Sequence, residues 1–316
     1  MRTGRASALT DTGRRRPHNE DTFVCDPPLF AVADGVGGAK AGEIASRLAA
    51  ATLEERLPGS FGKDTLAALI LEANNRIYRH ALDDPDAAGM GTVVTALLVD
   101  ETACTVAIGH VGDSRAYRIR DEGLEQLTPD HSLVGELVRA GRLSTEEAEQ
   151  HPHRSVITRA VGTEPTVDVH TEVLDALPGD LYLICSDGLT DLVRDERILE
   201  LIAAAEDDPE AAVQSLVDAA NSAGGIDNIT VVLFEILAGD PVPAPAPEPT
   251  APDPDDDTAE HALEPGENAA SASATPLSTP PIQRHGAGAG GRWLALLAIL
   301  LAISIAAIVI WWSLKR

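Results

Sequence analysis

Between about Arg2 and Leu237 the apolar residues gather into short, dense runs: "FAVAD", "GTVVTALLV", "ACTVAIGHVG", "RAYRIR", "LYLICSD" and "NITVVLFEI". Each run is rich in β-branched side chains and bounded by turn-forming residues, which predicts strands. Between the first two runs the period changes. Leu66, Ile70, Ala73 and Ile77 recur on one helical face, and residues 42–57 form a preceding amphipathic helix, the two joined through Pro58-Gly59. The second, third and fourth strand runs are separated only by Asp100-Glu101-Thr102 and Gly112-Asp113-Ser114. Such links are too short for a helical crossover, so antiparallel pairing is expected at both. Consecutive helices beside consecutive antiparallel strands predict a layered α+β sandwich and exclude a doubly wound parallel sheet. A long insertion between Arg120 and Leu181 carries two short helical patterns, "SLVGELVRAG" and "STEEAEQHPHRS", the second opening with Ser144 and Glu147 in capping-box spacing. Its histidines, His131, His151 and His153, read as solvated surface residues.

After Leu237 the periodicity stops. A stretch rich in Pro, Ala and acidic residues follows, and it cannot bury enough apolar surface to offset its ordering entropy. It ends in "RWLALLAILLAISIAAIVIWWSLKR", whose apolar stretch from Trp293 to Trp312 has the length of a membrane-spanning helix, with tryptophans at both ends. The expected organisation is a catalytic domain over 1–238, a disordered linker over 239–291, and a transmembrane helix with a short basic tail over 292–316. The N-terminal residues contain no apolar core of signal-peptide length. A single-pass protein of the cell membrane, with its domain in the cytoplasm, is therefore expected.

Charge narrows the chemistry. Fifty acidic against 24 basic side chains give a formal charge of -26, which excludes nucleic acid as a natural partner and suits divalent cations. An aromatic content of 3% requires an aliphatic core. Cys25, Cys104 and Cys185 are odd in number and far apart, and each lies in or beside an apolar run. That pattern reads as reduced core residues and excludes a disulfide frame or a zinc site.

Candidate chemistry lies where strands end. In "LFAVADGVGG" an apolar run delivers Asp34 into a glycine-rich stretch. Asp-Gly is among the commonest ways to leave a strand, and from this segment alone Asp34 reads as a turn-former, not a ligand. Asp113, Asp187 and Asp227 repeat the pattern in "GHVGDSR", "LICSDG" and "GGIDNITVV", and "NED" adds Glu20 and Asp21. Like charges gathered at one sheet edge repel unless cations neutralise them, and hard ions such as Mg²⁺ or Mn²⁺ take oxygen ligands of this kind. Spacing along the chain does not show that these ends converge in space.

These residues carry a family resemblance. "DTGRRRPHNED" at 11–21, "ADGVGG" at 33–38, "GMGTVVTALLV" at 89–99, "GHVGDSRAYRIR" at 109–120, "SDGLTDLV" at 186–193 and "GGIDNITVV" at 224–232 stand in order along the domain. The chain resembles the metal-dependent protein phosphatases, the PPM or protein phosphatase 2C family, in particular the bacterial serine/threonine phosphatases. The resemblance implies a four-layer α-β-β-α sandwich of two antiparallel sheets flanked by helices. It also implies a site for two Mn²⁺ or Mg²⁺ ions at one edge, with a third in some bacterial members.

Carried onto this chain, the resemblance has Asp34 bridge both metals, the Gly35 carbonyl ligate one of them, and Asp187 and Asp227 hold the other. Glu20 and Asp21 match acidic residues that hold metal-bound water, and Arg16 falls at the phosphate-binding position, where a planar guanidinium suits two phosphate oxygens. Asp113 resembles a ligand of the third metal, with Ser155 as an accessory contact; a hairpin turn competes for Asp113. The 121–180 insertion corresponds to a flap beside the active site. The chain departs from many eukaryotic members at Val36, where they carry a histidine proposed as general acid. The implied activity is hydrolysis of phosphoserine and phosphothreonine in cytoplasmic proteins, opposing a serine/threonine protein kinase. The alternative is a catalytically silent, membrane-tethered binding or scaffold module of the same fold.

Overall fold

Runs as apolar as "TVVTALLV" and "ITVVLFEIL" have no polar face to show to water, so their strands must be covered on both sides. The computed structural model, which describes residues 1–36, 41–55 and 62–239, shows what covers them. In chain order the strands are β1 (Arg2–Asp11), β2 (Thr22–Asp26), β3 (Leu29–Val36), β4 (Gly91–Asp100), β5 (Thr105–Val111), β6 (Arg115–Arg120), β7 (Gly123–Gln126), β8 (His170–Asp175), β9 (Leu181–Cys185) and β10 (Ile229–Leu237). The helices are α1 (Ala41–Glu55), α2 (Lys63–Asp83), α3 (Leu133–Arg139), α4 (Thr145–Glu149), α5 (Asp187–Thr190), α6 (Asp195–Ala204) and α7 (Pro209–Ser222). One sheet has the order β1-β10-β9-β6-β7 and the other β2-β3-β4-β5-β8. Neighbouring strands pair antiparallel throughout both.

Alternation along the central strands divides the core into three seams. From β4, Val94, Ala96 and Leu98 pack with Leu53 of α1 and Leu66, Ile70 and Ile77 of α2. Leu97 and Val99 face the other way, into the seam between the sheets. From β10, Val231 and Leu233 meet Ile198 of α6 and Val213, Leu216 and Val217 of α7, while Val232, Phe234 and Ile236 fill the inter-sheet seam. There the Phe30 and Phe234 rings stack with centroids 3.8 Å apart. Side chains that alternate between two covered faces explain why these strands read as unbroken apolar runs. The layers are therefore helix, sheet, sheet, helix.

The structure corrects several expectations. β4 and β5 pair as expected through Asp100-Glu101-Thr102, but β5 and β6 do not pair at all: they belong to opposite sheets. The link Gly112-Asp113-Ser114 is a crossing between stacked sheets, not a hairpin. Gly112 makes it possible, with φ of +118° and its bare Cα pressed against Val93, where a side chain would collide. His131 is buried, not solvated: its backbone N–H donates to the Gly112 carbonyl at 2.7 Å, and its Nδ1 accepts the Gly112 N–H at 3.1 Å. Of the cysteines, Cys185 is buried, Cys25 half-buried and Cys104 exposed, and all three are free thiols. The capping box of α4 forms as its spacing predicts, but the helix stops at Glu149.

No helix among the described residues is long and apolar enough to cross a membrane. The expected transmembrane helix and, apart from Gly239, the expected linker lie outside the described residues, as does the Pro58-Gly59 turn.

Candidate active site

Four strand ends meet at one edge of the sandwich, two from each sheet. Asp34 stands near the end of β3, where its backbone pairs with Val93 and its carbonyl accepts the Thr92 hydroxyl at 2.7 Å. Asp113 sits in the crossing from β5 to β6, Asp187 opens α5 two residues after β9, and Asp227 lies two residues before β10. All four line a cavity of about 400 Å³, together with Glu20 and Arg16. Gly35, Val36 and Ser155 also reach its wall. Asp21 is absent from the wall and lies buried behind it.

Electrostatics in this cavity is dominated by crowding of carboxylates. Asp34 is pushed well above the ordinary carboxylate range, first by burial and then by Asp21 and Asp187. Asp187 is raised likewise, by burial and then by Asp113 and Asp227. Burial, with Asp130 behind it, raises Asp113 to about 7. Glu20 is raised by burial against the opposing pull of Arg16. Among the described residues neither Asp34 nor Asp187 forms an ion pair with Arg or Lys. Arg16 is engaged with Asp227, its Nη2 lying 2.7 Å from Oδ2, and Arg154 approaches Asp191 at 3.7 Å.

Asp21 is held by a directional chain of hydrogen bonds. Thr230 Oγ1 donates to Asp21 Oδ2 at 2.6 Å, and the Thr10 and Thr230 hydroxyls meet at 2.7 Å. Because Thr230 has given its only hydroxyl hydrogen to Asp21, Thr10 must donate to Thr230. Thr10 in turn accepts from Asn19 Nδ2 at 2.8 Å. Burial raises Asp21 to about 6, with the Thr230 and Ser186 hydrogen bonds pulling it down.

The donor set fits divalent cations. It consists of carboxylates plus the backbone at Gly35, and hard ions prefer such oxygen ligands. Elevated proton affinity is what carboxylates show when crowded out of water, and a cation among them favours the ionised form. A side chain at Gly35 would meet the Gly42 backbone at 2.5 Å and the Glu20 carbonyl at 2.6 Å, so the β3 end and α1 approach closely only because this position is bare. Among the described residues no three His, Cys, Asp or Glu side chains form a closed ligand group. The fit rests on the chemistry of the cavity wall, not on a preformed cage.

The 121–180 insertion lines one side of the cavity. It returns to the domain where Thr92 and Val161 exchange backbone hydrogen bonds of 3.0 and 2.8 Å, and His131 ties its base to Gly112. Arg154, Ser155 and Ile157 project from it onto the cavity. Sequence reasoning missed Arg154, Asp191 and Asn228, which also line the wall. Asp191 lies in "SDGLTDLV" and Asn228 in "GGIDNITVV", so both were inside quoted motifs without an assigned part.

Comparison with known proteins agrees with this geometry. A sequence model of the family described as Protein phosphatase 2C matches residues 18–219. The chain is 41% identical over 244 residues to the serine/threonine protein phosphatase PstP of Mycobacterium tuberculosis, a match covering 75% of this chain and 46% of that protein. It thus spans about half the length of that relative. It is 40% identical over 247 residues to the serine/threonine phosphatase stp of Listeria monocytogenes, covering 73% of this chain and 95% of that one. The crystal structure of Mycobacterium tuberculosis PstP/Ppp superposes with a TM-score of 0.70 at 39% identity, covering 74% of this chain and 99% of that one. A PstP catalytic domain in complex with two manganese ions gives a TM-score of 0.68 at 36% identity, over 74% of this chain and 98% of that one.

Proposed function

Because this chain belongs to the protein phosphatase 2C family, we propose that it is a metal-dependent phosphatase that hydrolyses phosphoserine and phosphothreonine in proteins. The observation that carries this reading is the composition of one cavity wall: four strand-end aspartates and Glu20, with the Arg16 guanidinium at the rim paired to Asp227. In this reading Asp34, the Gly35 carbonyl, Asp187 and Asp227 hold two Mn²⁺ or Mg²⁺ ions, and Asp113 with Ser155 holds a third. The bound ions supply Lewis acidity that activates water at neutral pH and offsets charge on the phosphoryl group.

The residues of the chain do the rest. Arg16 stands at the rim with its side chain half exposed, and it exchanges its bond to Asp227 for two phosphate oxygens. Glu20 and Asp21, both nearly buried, hold and orient water on the carboxylate side; the hydroxyl chain through Thr230 keeps the Asp21 carboxylate in one orientation. Val36 and Ile157 cover the cavity with apolar surface and offer no proton to the leaving oxygen. Phosphate release from phosphoserine and phosphothreonine peptides by the full chain with Mn²⁺ tests the proposal. Release within the ordinary range of enzymatic turnover is expected, and its absence for both peptides would refute it.

The same reading includes attachment to the cell membrane through residues 292–316, with the domain in the cytoplasm, acting on a serine/threonine protein kinase and that kinase's substrates. The apolar length of Trp293–Trp312 supports the anchor. Removal of residues 239–316 is expected to move the protein from the membrane to the soluble fraction of a cell lysate. Equal partition of both forms would refute the anchor.

A further inference from the structure

The residue that follows Asp227 is more than turn chemistry. Asn228 is 5% exposed, and its side chain makes three hydrogen bonds to the protein. Its Oδ1 accepts the Glu20 N–H at 2.8 Å, and its Nδ2 donates to the carbonyls of Thr12 and His18, at 3.0 Å each. A primary amide has two N–H hydrogens, and both are used, so Asn228 has no donor left for a substrate. Thr12 and His18 flank Arg16, and Glu20 lies just beyond. The side chain therefore staples both limbs of the loop whose tip carries the guanidinium.

Packing beneath the staple is backbone against backbone. Arg14 N–H donates to the Gly225 carbonyl at 2.7 Å. Gly13 takes a φ of +77°, and a Cβ there would strike the Asp227 carbonyl. A Cβ on Gly225 would meet Arg14 N at 2.9 Å. The loop thus lies flat on residues 225–228, the segment that also supplies Asp227, the partner of Arg16.

We infer that Asn228 is a positioning residue: it fixes the 12–20 loop against the carboxylate wall and so sets phosphate affinity through Arg16 without touching phosphate itself. The inference rests on the phosphatase reading above. Only an amide serves at this position. Aspartate keeps the acceptor for Glu20 but turns a charged oxygen toward two carbonyls, and serine is too short to reach both limbs.

The test uses the full chain with Mn²⁺, comparing the parent, Asn228→Asp, Arg16→Ala and the double variant. Three quantities are read: KM and kcat on an aryl phosphate, inhibition by orthophosphate, and amide hydrogen exchange of residues 12–20. Asn228→Asp is expected to speed exchange in 12–20 while the β4 and β10 amides stay protected. It should also raise KM and the orthophosphate inhibition constant about tenfold, with a smaller change in kcat. In the Arg16→Ala background the same substitution should change KM less than about twofold, because residues acting as a unit are non-additive. An equal loss in both backgrounds, or unchanged exchange in 12–20, would overturn the inference. If Asn228→Asp does not fold, Asn228→Ser, which removes the bonds without adding charge, carries the same comparison. An inactive parent would overturn the phosphatase reading instead, and the exchange measurement would then decide the positioning by itself.

Discussion

Val36 poses the sharpest question at the scale of single residues. It lines the cavity beside Gly35, where a side chain able to donate a proton to a departing serine or threonine oxygen would act, and it has none to give. Nitrophenolate leaves without such help, whereas an alkoxide does not, and a positioned acid typically contributes about 10² to 10⁴ in rate. Val36→His is therefore expected to raise kcat on a phosphothreonine peptide more than on an aryl phosphate, and to add an acid limb to the pH profile of the peptide reaction alone. Steady-state kinetics of both substrates across pH decide it, and equal effects would mean that proton transfer to the leaving group does not limit the rate. The carboxylates were legible in the sequence because each breaks an apolar run at its end, as Asp34 does after "LFAVA". Asn228 was not legible, because an Asn after an Asp looks like a turn until its three partners, all at least 208 positions away, are seen in space.

Among the elements, the crossing from β5 to β6 decides whether the two halves of the site meet. β3 and β5 bring Asp34 and Asp113 from one sheet; β9 and β10 bring Asp187 and Asp227 from the other. The chain changes sheets at Gly112, whose backbone lies in the left-handed region and whose Cα has no room for a methyl against Val93. Gly112→Ala is expected to cost about 2 kcal/mol or more of stability by denaturant unfolding, since strain and steric overlap add. A loss under about 0.5 kcal/mol would show that the crossing tolerates a side chain. A three-residue link between apolar strands reads as a hairpin, and here that rule failed because two stacked sheets offer a second short path, roughly 10 Å face to face. The central strands and α1 and α2 were legible, since their burial is expressed as periodicity: Leu66, Ile70, Ala73 and Ile77 are all buried. β1 was missed because its inward positions are largely small, as at Ala6 and Ala8, and give little hydrophobic contrast.

For the whole molecule, the concentration of carboxylates makes stability depend on pH and on cations. Asp113 titrates near 3.8 in the unfolded chain and at about 7 in the fold. Through Asp113 the folded state therefore binds more protons between those values, and this contribution to stability falls as pH rises from about 4 to about 7, then levels. In chelator, Asp113→Asn is expected to remove that contribution and to leave the slope due to Asp21, Asp34 and Asp187, which are also raised. Its advantage in unfolding free energy over the parent should grow across that window to about 2 kcal/mol, once screening through the open side of the cavity is allowed for. A constant difference between the two proteins from about pH 4 to about pH 8 would contradict this. In the proposed reading, neutralisation of the same wall by divalent cations turns a costly cluster of like charges into a catalytic one, and phosphate release from a phosphothreonine peptide by the full chain, in excess chelator and after Mn²⁺ is restored, measures it most directly. The account predicts no release in chelator, recovery with Mn²⁺ or Mg²⁺, and no recovery in Asp34→Asn although that variant stays folded; substantial release in excess chelator would contradict it.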